Sequence, residues 1–120
     1  IEPSKKLIMA TLFTKIIRGE IPSEKVFENE RIVAFKDINP AAPVHLLIVP
    51  KKEIKNLQDV KPEDLPLIGE MVQVAQQLAK EFKIEEGYRL VTNTGPLAGQ
   101  TIFHLHFHLL GGKQLGHLAS

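Results

Sequence analysis

Apolar and imidazole side chains alternate from Phe103 to Leu109, and this alternation constrains the fold more than any other feature of the sequence. A β-strand directs successive side chains to opposite faces of its sheet. The apolar residues that would share the core face are Phe103, Leu105, Phe107 and Leu109. The histidines that would share the other face are His104, His106 and His108. The segment therefore predicts a strand from Thr101 to Leu110 with a row of three imidazoles on one side.

Four further apolar segments predict the rest of a sheet. They are bounded by turn residues and lie at 26–27, 32–35, 45–49 and 88–93. The turn at 28–30 joins the first two as a hairpin. The segment 45–49 is almost continuously apolar, which is typical of a central strand that is covered on both faces. Short strands that follow one another along the chain favour an antiparallel sheet with its helices packed on one face.

Two helices are predicted beside this sheet. The long one lies between Pro62 and Phe82, where apolar residues recur at helical spacing. The short one begins after Thr11, which can cap it, and ends at Gly19. Its apolar side would consist of Leu12, Phe13, Ile16 and Ile17. Together these elements predict an α+β fold, in which a five-stranded antiparallel sheet carries one long and one short helix.

The length and composition are those of one small domain. We assign the domain to residues 11–120 of the 120-residue chain and expect residues 1–10 to be an N-terminal arm or a remnant of cloning. The formal net charge of +1 lacks the basic excess that non-specific nucleic-acid binding needs. No apolar run approaches the length of a membrane span. The absence of cysteine excludes disulfides and a cysteine nucleophile, and it suits a cytoplasmic location.

The row of histidines admits three interpretations. Histidine could be polar filler on a half-exposed strand, but three of the chain's five histidines stand at alternate positions. Zinc would need two neighbours of the row plus a distant ligand such as His45, because the outer pair lies roughly 13 Å apart on a regular strand. Covalent catalysis fits better, since a central His106 can attack phosphorus while its neighbours orient it and stabilise developing charge. We therefore predict no metal and no other cofactor.

The loop before the histidines is compatible with a phosphate ligand. Gly95 and Gly99 permit a close approach of the backbone to a phosphate, and Gln100 and Thr101 supply donors. An ordinary connection between strands can have the same composition, so the loop gains meaning only beside the histidines. It is not a Walker A loop, because no Gly-Lys-Ser/Thr follows.

Several motifs together resemble the histidine triad family. The central one is His-Leu-His-Phe-His-Leu-Leu at 104–110, which is similar to the family's pattern of three histidines alternating with apolar residues. Others are Leu-Phe-Thr-Lys-Ile-Ile-Arg-Gly-Glu-Ile-Pro at 12–22, Ala-Phe-Lys-Asp-Ile-Asn-Pro at 34–40, Pro-Val-His-Leu-Leu-Ile-Val-Pro-Lys at 43–51, Tyr-Arg-Leu-Val-Thr-Asn at 88–93 and Gly-Gln-Thr at 99–101. The chain most resembles the Hint branch, whose members bind nucleotides and hydrolyse nucleoside phosphoramidates.

The resemblance implies a reaction and a set of site residues. His106 would attack the α-phosphorus and form a nucleotidyl-histidine that water then hydrolyses. His104 and His108 would hold phosphate oxygens, His45 would complete the imidazole cluster, and Thr101 would reach the leaving group or a phosphate oxygen. The nucleotide-binding residues would be Leu12, Phe13, Ile16, Phe35, Ile38 and Leu47 for the purine, Asp37 for the ribose, and Asn93, Gly99, Gln100, Thr101, His106 and His108 around the phosphate.

The resemblance also implies the partners. They would be a purine nucleoside monophosphate or its phosphoramidate, and a second copy of the chain whose sheet continues the first in a homodimer. Members of the Hint branch usually have serine at the position of Thr101. Threonine at this position is common among dinucleoside polyphosphate hydrolases. Residues 115–120 lack the aromatic C-terminus of animal Hint proteins. Dinucleoside polyphosphate hydrolysis, and a nucleotide- or partner-binding module with incidental turnover, therefore remain as alternatives.

Overall fold

A single sheet forms the centre of the molecule. In the computed structural model, which describes residues 11–118, its strands are β1 (Lys25–Glu28), β2 (Ile32–Lys36), β3 (Val44–Pro50), β4 (Tyr88–Val91) and β5 (Phe107–Gly111). All neighbours are antiparallel, in the order β1-β2-β3-β5-β4. The predicted α+β class, the five-stranded antiparallel sheet and the central position of the 45–49 segment are confirmed. The predicted arm, residues 1–10, lies outside the described residues.

The helices are α1 (Leu12–Ile17) and α2 (Leu65–Glu81). Thr11 caps α1, because its side chain accepts the N–H of Thr14 at 3.2 Å. Gly19 follows with φ +79°, a left-handed conformation that glycine adopts without strain. A 3-10 turn at Pro62–Asp64 leads into α2. Both predicted helices are thus confirmed. No helix within the described part of the chain is long and apolar enough to cross a membrane.

Alternate residues of β2 and β3 face two separate cores. The core that packs against α2 contains the strand residues Ile32, Ala34, Leu46 and Ile48. The core that packs against α1 contains Val33, Phe35, Leu47 and Val49. The prediction that both helices share one face of the sheet is therefore wrong. These strands are apolar on both faces, and each face needs a helix to remove it from water.

The last strand is shorter than predicted, because it begins at Phe107 and not at Thr101. The N–H of Leu105 donates to the carbonyl of Ile54 at 2.7 Å, so this stretch pairs with the segment after β3 and not with a strand. Phe103 is 41% exposed and lies under the ammonium of Lys55, whereas the other three apolar residues of the predicted core face are buried. The alternation of faces therefore holds from Leu105 onward.

Candidate active site

The central strands bring three imidazoles together on the α1 side of the sheet. His108 pairs with Leu47 across β5 and β3, and His45 lies two positions before Leu47 on the same face. His106 immediately precedes β5. The ring centroids of His106 and His108 are 5.0 Å apart, and those of His45 and His108 are 5.1 Å apart. The three rings therefore form one continuous cluster.

His106 has its two ring nitrogens in different environments. Nδ1 lies 2.7 Å from the carbonyl oxygen of His104. A carbonyl can only accept, so Nδ1 carries the proton and Nε2 of the neutral ring keeps a free lone pair. Burial lowers the pKa of His106, although the bond to the His104 carbonyl opposes the shift, and the neutral form is favoured near pH 7. The Phe13 ring packs edge-on at 4.8 Å and fixes the orientation of the imidazole.

His104 lies behind His106. It is 1% exposed, and its Nε2 donates to the carbonyl oxygen of Pro50 at 2.7 Å. Burial lowers its pKa, so its ring is also neutral near pH 7. The ring therefore links the segment that precedes β5 to the last residue of β3. It does not line the pocket described below, in contrast to the phosphate contact that the resemblance implies.

His45 and His108 are joined by a hydrogen bond between rings. His45 Nε2 lies 2.9 Å from His108 Nδ1, and the N–H of Ala41 donates to His45 Nδ1 at 3.0 Å. A carboxylate oxygen of Asp37 stands 3.4 Å from His45 Nε2. Burial, and then the charges that His106 and His45 would carry, lower the pKa of His108 to about 4. Burial also lowers the pKa of His45. Both rings are therefore neutral near pH 7.

A cleft of about 210 Å³ opens onto this cluster. Most of its walls come from predicted site residues, which lie far apart in the sequence. The lining residues are Phe13, Asp37, Leu47, Asn93, Gly99, Gln100, Thr101, Ile102, His106 and His108. Sequence reasoning missed Ile102, although a regular strand from Thr101 would have placed it on the same face as the histidines. Larger clefts of about 480 and 400 Å³ lie elsewhere among mainly charged surface residues and contain no histidine.

Four predicted purine contacts do not line the cleft. Ile16 and Phe35 are buried in the core beneath it, next to Phe13. Leu12 is 41% exposed because it lies on the outer side of α1, although the sequence placed it on the apolar side. Ile38 is 86% exposed on the turn after β2. Only Phe13 and Leu47 of the predicted apolar set reach the cleft wall.

The side chain of Gln100 is fully engaged in holding the loop. Its carbonyl oxygen accepts the N–H of Gly95 at 2.8 Å, and its amide nitrogen donates to the carbonyls of Lys55 at 2.9 Å and Ile102 at 3.1 Å. Its backbone N–H donates to the carbonyl of Gly95. No N–H of Gln100 remains to donate to a phosphate. Its role in the cleft wall is therefore to stabilise the loop of residues 95–102 through these hydrogen bonds.

A metal would have to displace the hydrogen bond between the histidines. Asp37, His45 and His108 each offer a ligand atom, and these atoms lie within 4.8 Å of one another. Tetrahedral zinc holds nitrogens at about 2.0–2.1 Å from itself and therefore roughly 3.3 Å from each other. The two ring nitrogens stand at 2.9 Å and share a proton. The arrangement fits a hydrogen-bonded pair better than a ready-made metal site.

Comparison with known proteins agrees with the motif at 104–110. Residues 10–118 match the family model described as "Scavenger mRNA decapping enzyme C-term binding". The chain is 47% identical over 107 residues to the purine nucleoside phosphoramidase of Escherichia coli, covering 88% of this chain and 90% of that protein. It is 45% identical over 107 residues to a 14 kDa zinc-binding protein of Zea mays, covering 88% and 84% respectively.

A solved structure extends the agreement to the fold. The HIT family hydrolase from Legionella pneumophila superimposes with a TM-score of 0.87 at 47% identity, covering 89% of this chain and 96% of that one. Each of these matches covers nearly nine-tenths of this chain, and the family model spans residues 10–118. The chain therefore belongs to the histidine triad (HIT) family.

Proposed function

We propose that this protein hydrolyses purine nucleoside phosphoramidates by way of a covalent bond between His106 and the α-phosphorus. The observation that carries the proposal is the 2.7 Å contact between His106 Nδ1 and the carbonyl oxygen of His104, because it assigns the ring proton to Nδ1 and leaves a lone pair on Nε2 of a residue that lines the cleft. A neutral imidazole with a fixed tautomer is a nucleophile that needs no separate base. The relative named a purine nucleoside phosphoramidase supports the choice of substrate class.

In the first step the lone pair of His106 Nε2 forms a bond to the α-phosphorus. The P–N bond of the substrate breaks, and its electron pair leaves on the amine nitrogen, which takes a proton from water. The imidazole would become cationic during attack. The carbonyl of His104 at 2.7 Å stabilises that charge through the N–H of Nδ1.

In the second step a water oxygen attacks the same phosphorus. The Nε2–P bond breaks, and its electron pair returns to the imidazole. The oxygen of the water and one of its hydrogens become the new P–OH group of the nucleoside monophosphate, and the other proton neutralises the hydroxide left by the first step. The sum of both steps is phosphoramidate plus water giving nucleoside monophosphate plus amine. The ring is regenerated in its original tautomer, because the His104 carbonyl still requires a proton on Nδ1.

The cleft supplies partners for the rest of a nucleotide. Asp37 is half-buried in the cleft wall, with a carboxylate that can accept both ribose hydroxyls. Phe13, Leu47 and Ile102 provide apolar surface for the sugar and base. Asn93 and Thr101 offer side-chain donors beside His106, and Gly99, with φ +90°, allows close approach of the backbone to the phosphate.

Hydrolysis of an adenosine phosphoramidate and of diadenosine tetraphosphate, measured side by side with wild type and His106→Ala, tests this function. We expect fast phosphoramidate cleavage that His106→Ala removes, with AMP binding nearly unchanged. A preference for the tetraphosphate would move the protein to the dinucleoside polyphosphate hydrolases, the alternative that Thr101 keeps open. AMP binding without cleavage of either compound would favour a binding module.

We also propose that two copies join their sheets at β4. The two edges of the sheet differ, because β1 carries Glu28 in ion pairs with Lys25 and Lys51 at 3.1 and 2.8 Å, and such charges protect an edge from pairing. The strand β4 is the other edge, and its Leu90 and Val91 are only half-buried. Light scattering should give a mass twice the 13.4 kDa of one chain. A monomer at micromolar concentration would refute this assembly.

A further inference from the structure

The turn after β2 wraps around His45 with main-chain groups. The N–H of Asp37 donates to the carbonyl of His45 at 3.0 Å, and the N–H of Ala41 donates to its ring Nδ1 at 3.0 Å. The Asp37 carboxylate accepts the N–H of Asn39 at 2.8 Å, which keeps the turn closed. The turn that would bind the ribose is therefore also the element that contacts the histidine cluster.

The proton positions in the cluster follow from the Ala41 contact. A main-chain N–H can only donate, so His45 Nδ1 must be the unprotonated nitrogen of its ring. His45 Nε2 then carries the proton and donates it to His108 Nδ1 at 2.9 Å. His108 Nδ1 is thereby fixed as an acceptor, and the ring proton of His108 must lie on Nε2. That nitrogen has no hydrogen-bond partner among residues 11–118, and His108 lines the cleft.

We propose that the main-chain N–H of Ala41 sets the tautomer of His108, through His45, so that His108 presents an N–H and not a lone pair to the substrate. Ala41 and His45 are positioning residues in this account, and His108 is the group that touches the ligand. A phosphoryl oxygen can only accept hydrogen bonds, so a lone pair on His108 Nε2 would repel it. The inference rests on the proposed function for its consequence in catalysis, but the tautomers themselves can be measured without any substrate.

The opposite tautomers of neighbouring histidines give them different roles. His106 is held with its proton on Nδ1 by a carbonyl acceptor, and His108 is held with its proton on Nε2 by a chain that begins at an amide donor. One ring therefore offers the cleft a lone pair and the next offers a proton. A nucleophile and a hydrogen-bond donor would stand side by side, with ring centroids 5.0 Å apart, without any change in charge.

Nitrogen-15 NMR of the imidazole rings tests the inference directly on the wild-type protein at neutral pH. We expect His45 and His108 to show a protonated Nε2 and an unprotonated Nδ1, and His106 to show the reverse. Protonated Nδ1 on His108 would overturn the inference even if the enzyme is fully active. The expected spectrum from a protein that does not cleave phosphoramidates would leave the tautomer assignment intact and refute only the proposed reaction.

Two variants test the cause. Ala41→Pro removes the single N–H, and Ala41→Ser at the same exposed position keeps it. We expect Ala41→Pro to admit the Nδ1-protonated form of His45 and to lower kcat by roughly tenfold, the effect of one ordinary hydrogen bond, with KM within about threefold of wild type. Ala41→Ser should match wild type in both measurements. Unchanged tautomers and unchanged kcat in Ala41→Pro would refute the role of this amide.

A substitution of His45 covers the case in which proline disrupts the turn. His45→Gln keeps an amide N–H that can donate to His108 Nδ1, and His45→Met offers only a thioether. We expect the glutamine variant to retain the Nε2-protonated form of His108 and most of kcat, and the methionine variant to lose both. Equal kcat and equal His108 spectra in the two variants would contradict the inference.

Discussion

The side chain of Gln100 offers a prediction whose size can be worked out from its contacts. Gln100→Met keeps nearly the same volume and removes three hydrogen bonds, to Gly95, Lys55 and Ile102. Each such bond contributes about 1 kcal/mol net. The side chain is 4% exposed, so water cannot easily replace the lost partners. We therefore expect the free energy of unfolding to fall by about 3 kcal/mol.

Urea unfolding measures this loss. A decrease of about 3 kcal/mol corresponds to a midpoint lower by about 1–3 M, given typical urea slopes for small domains. Gln76→Met is the matched control, because Gln76 is exposed on α2 and because glutamine and methionine are both good helix formers. We expect the control to change the free energy of unfolding by less than about 0.5 kcal/mol.

The result also decides between two roles for Gln100. If its side chain bound the phosphate, as the sequence predicted, Gln100→Met would weaken AMP binding and leave the stability almost unchanged. A decrease of less than about 1 kcal/mol in the free energy of unfolding, together with a large loss of AMP affinity, would therefore refute the stabilising role that the hydrogen bonds of Gln100 indicate.

Three further predictions follow from the site. Phe13→Ala should lower the free energy of unfolding by about 3–5 kcal/mol, because Phe13 is 2% exposed between Phe35 and His106, and Phe13→Leu should cost clearly less in the same urea titration. The free energy of unfolding should fall as pH drops from about 6.5 towards 4, because in this window His108 binds a proton in the unfolded chain and not in the folded one. Above pH 6.5 this group has no effect, and His108→Asn should make the free energy of unfolding depend less steeply on pH below it. Prolonged dialysis against a chelator should leave phosphoramidate turnover unchanged, and activity that is lost and then restored by zinc would revive the metal interpretation.

Local patterns predicted the elements well where a single residue or period decides them. The cap at Thr11, the end of α1 shortly before Gly19 and the long helix after Pro62 depend on groups a few positions apart. The continuous apolar run at 45–49 indicated a central strand, and its two-sided burial is found. The same observation could have shown that the helices lie on opposite faces, because a strand buried on both sides needs two covers.

The parts that sequence could not predict depend on contacts between distant segments. Residues 101–106 are not part of the sheet, because the N–H of Leu105 donates to the carbonyl of Ile54. No residue near position 105 indicates that partner. Gln100 looked like a free donor, since its partners at Gly95, Lys55 and Ile102 converge only in the fold. The imidazole tautomers likewise depend on a main-chain amide on another turn, which no side-chain motif records.

The covalent intermediate on His106 is the central claim, and trapping it is the most direct test. Wild-type protein would be mixed with an adenosine phosphoramidate, quenched in alkali within one turnover, and analysed intact and after digestion by mass spectrometry. We predict one adenylyl group per chain, located on His106, and none on His106→Ala. Full single-turnover product formation with no adduct at any early time, or an adduct on another histidine, would contradict nucleophilic attack by His106.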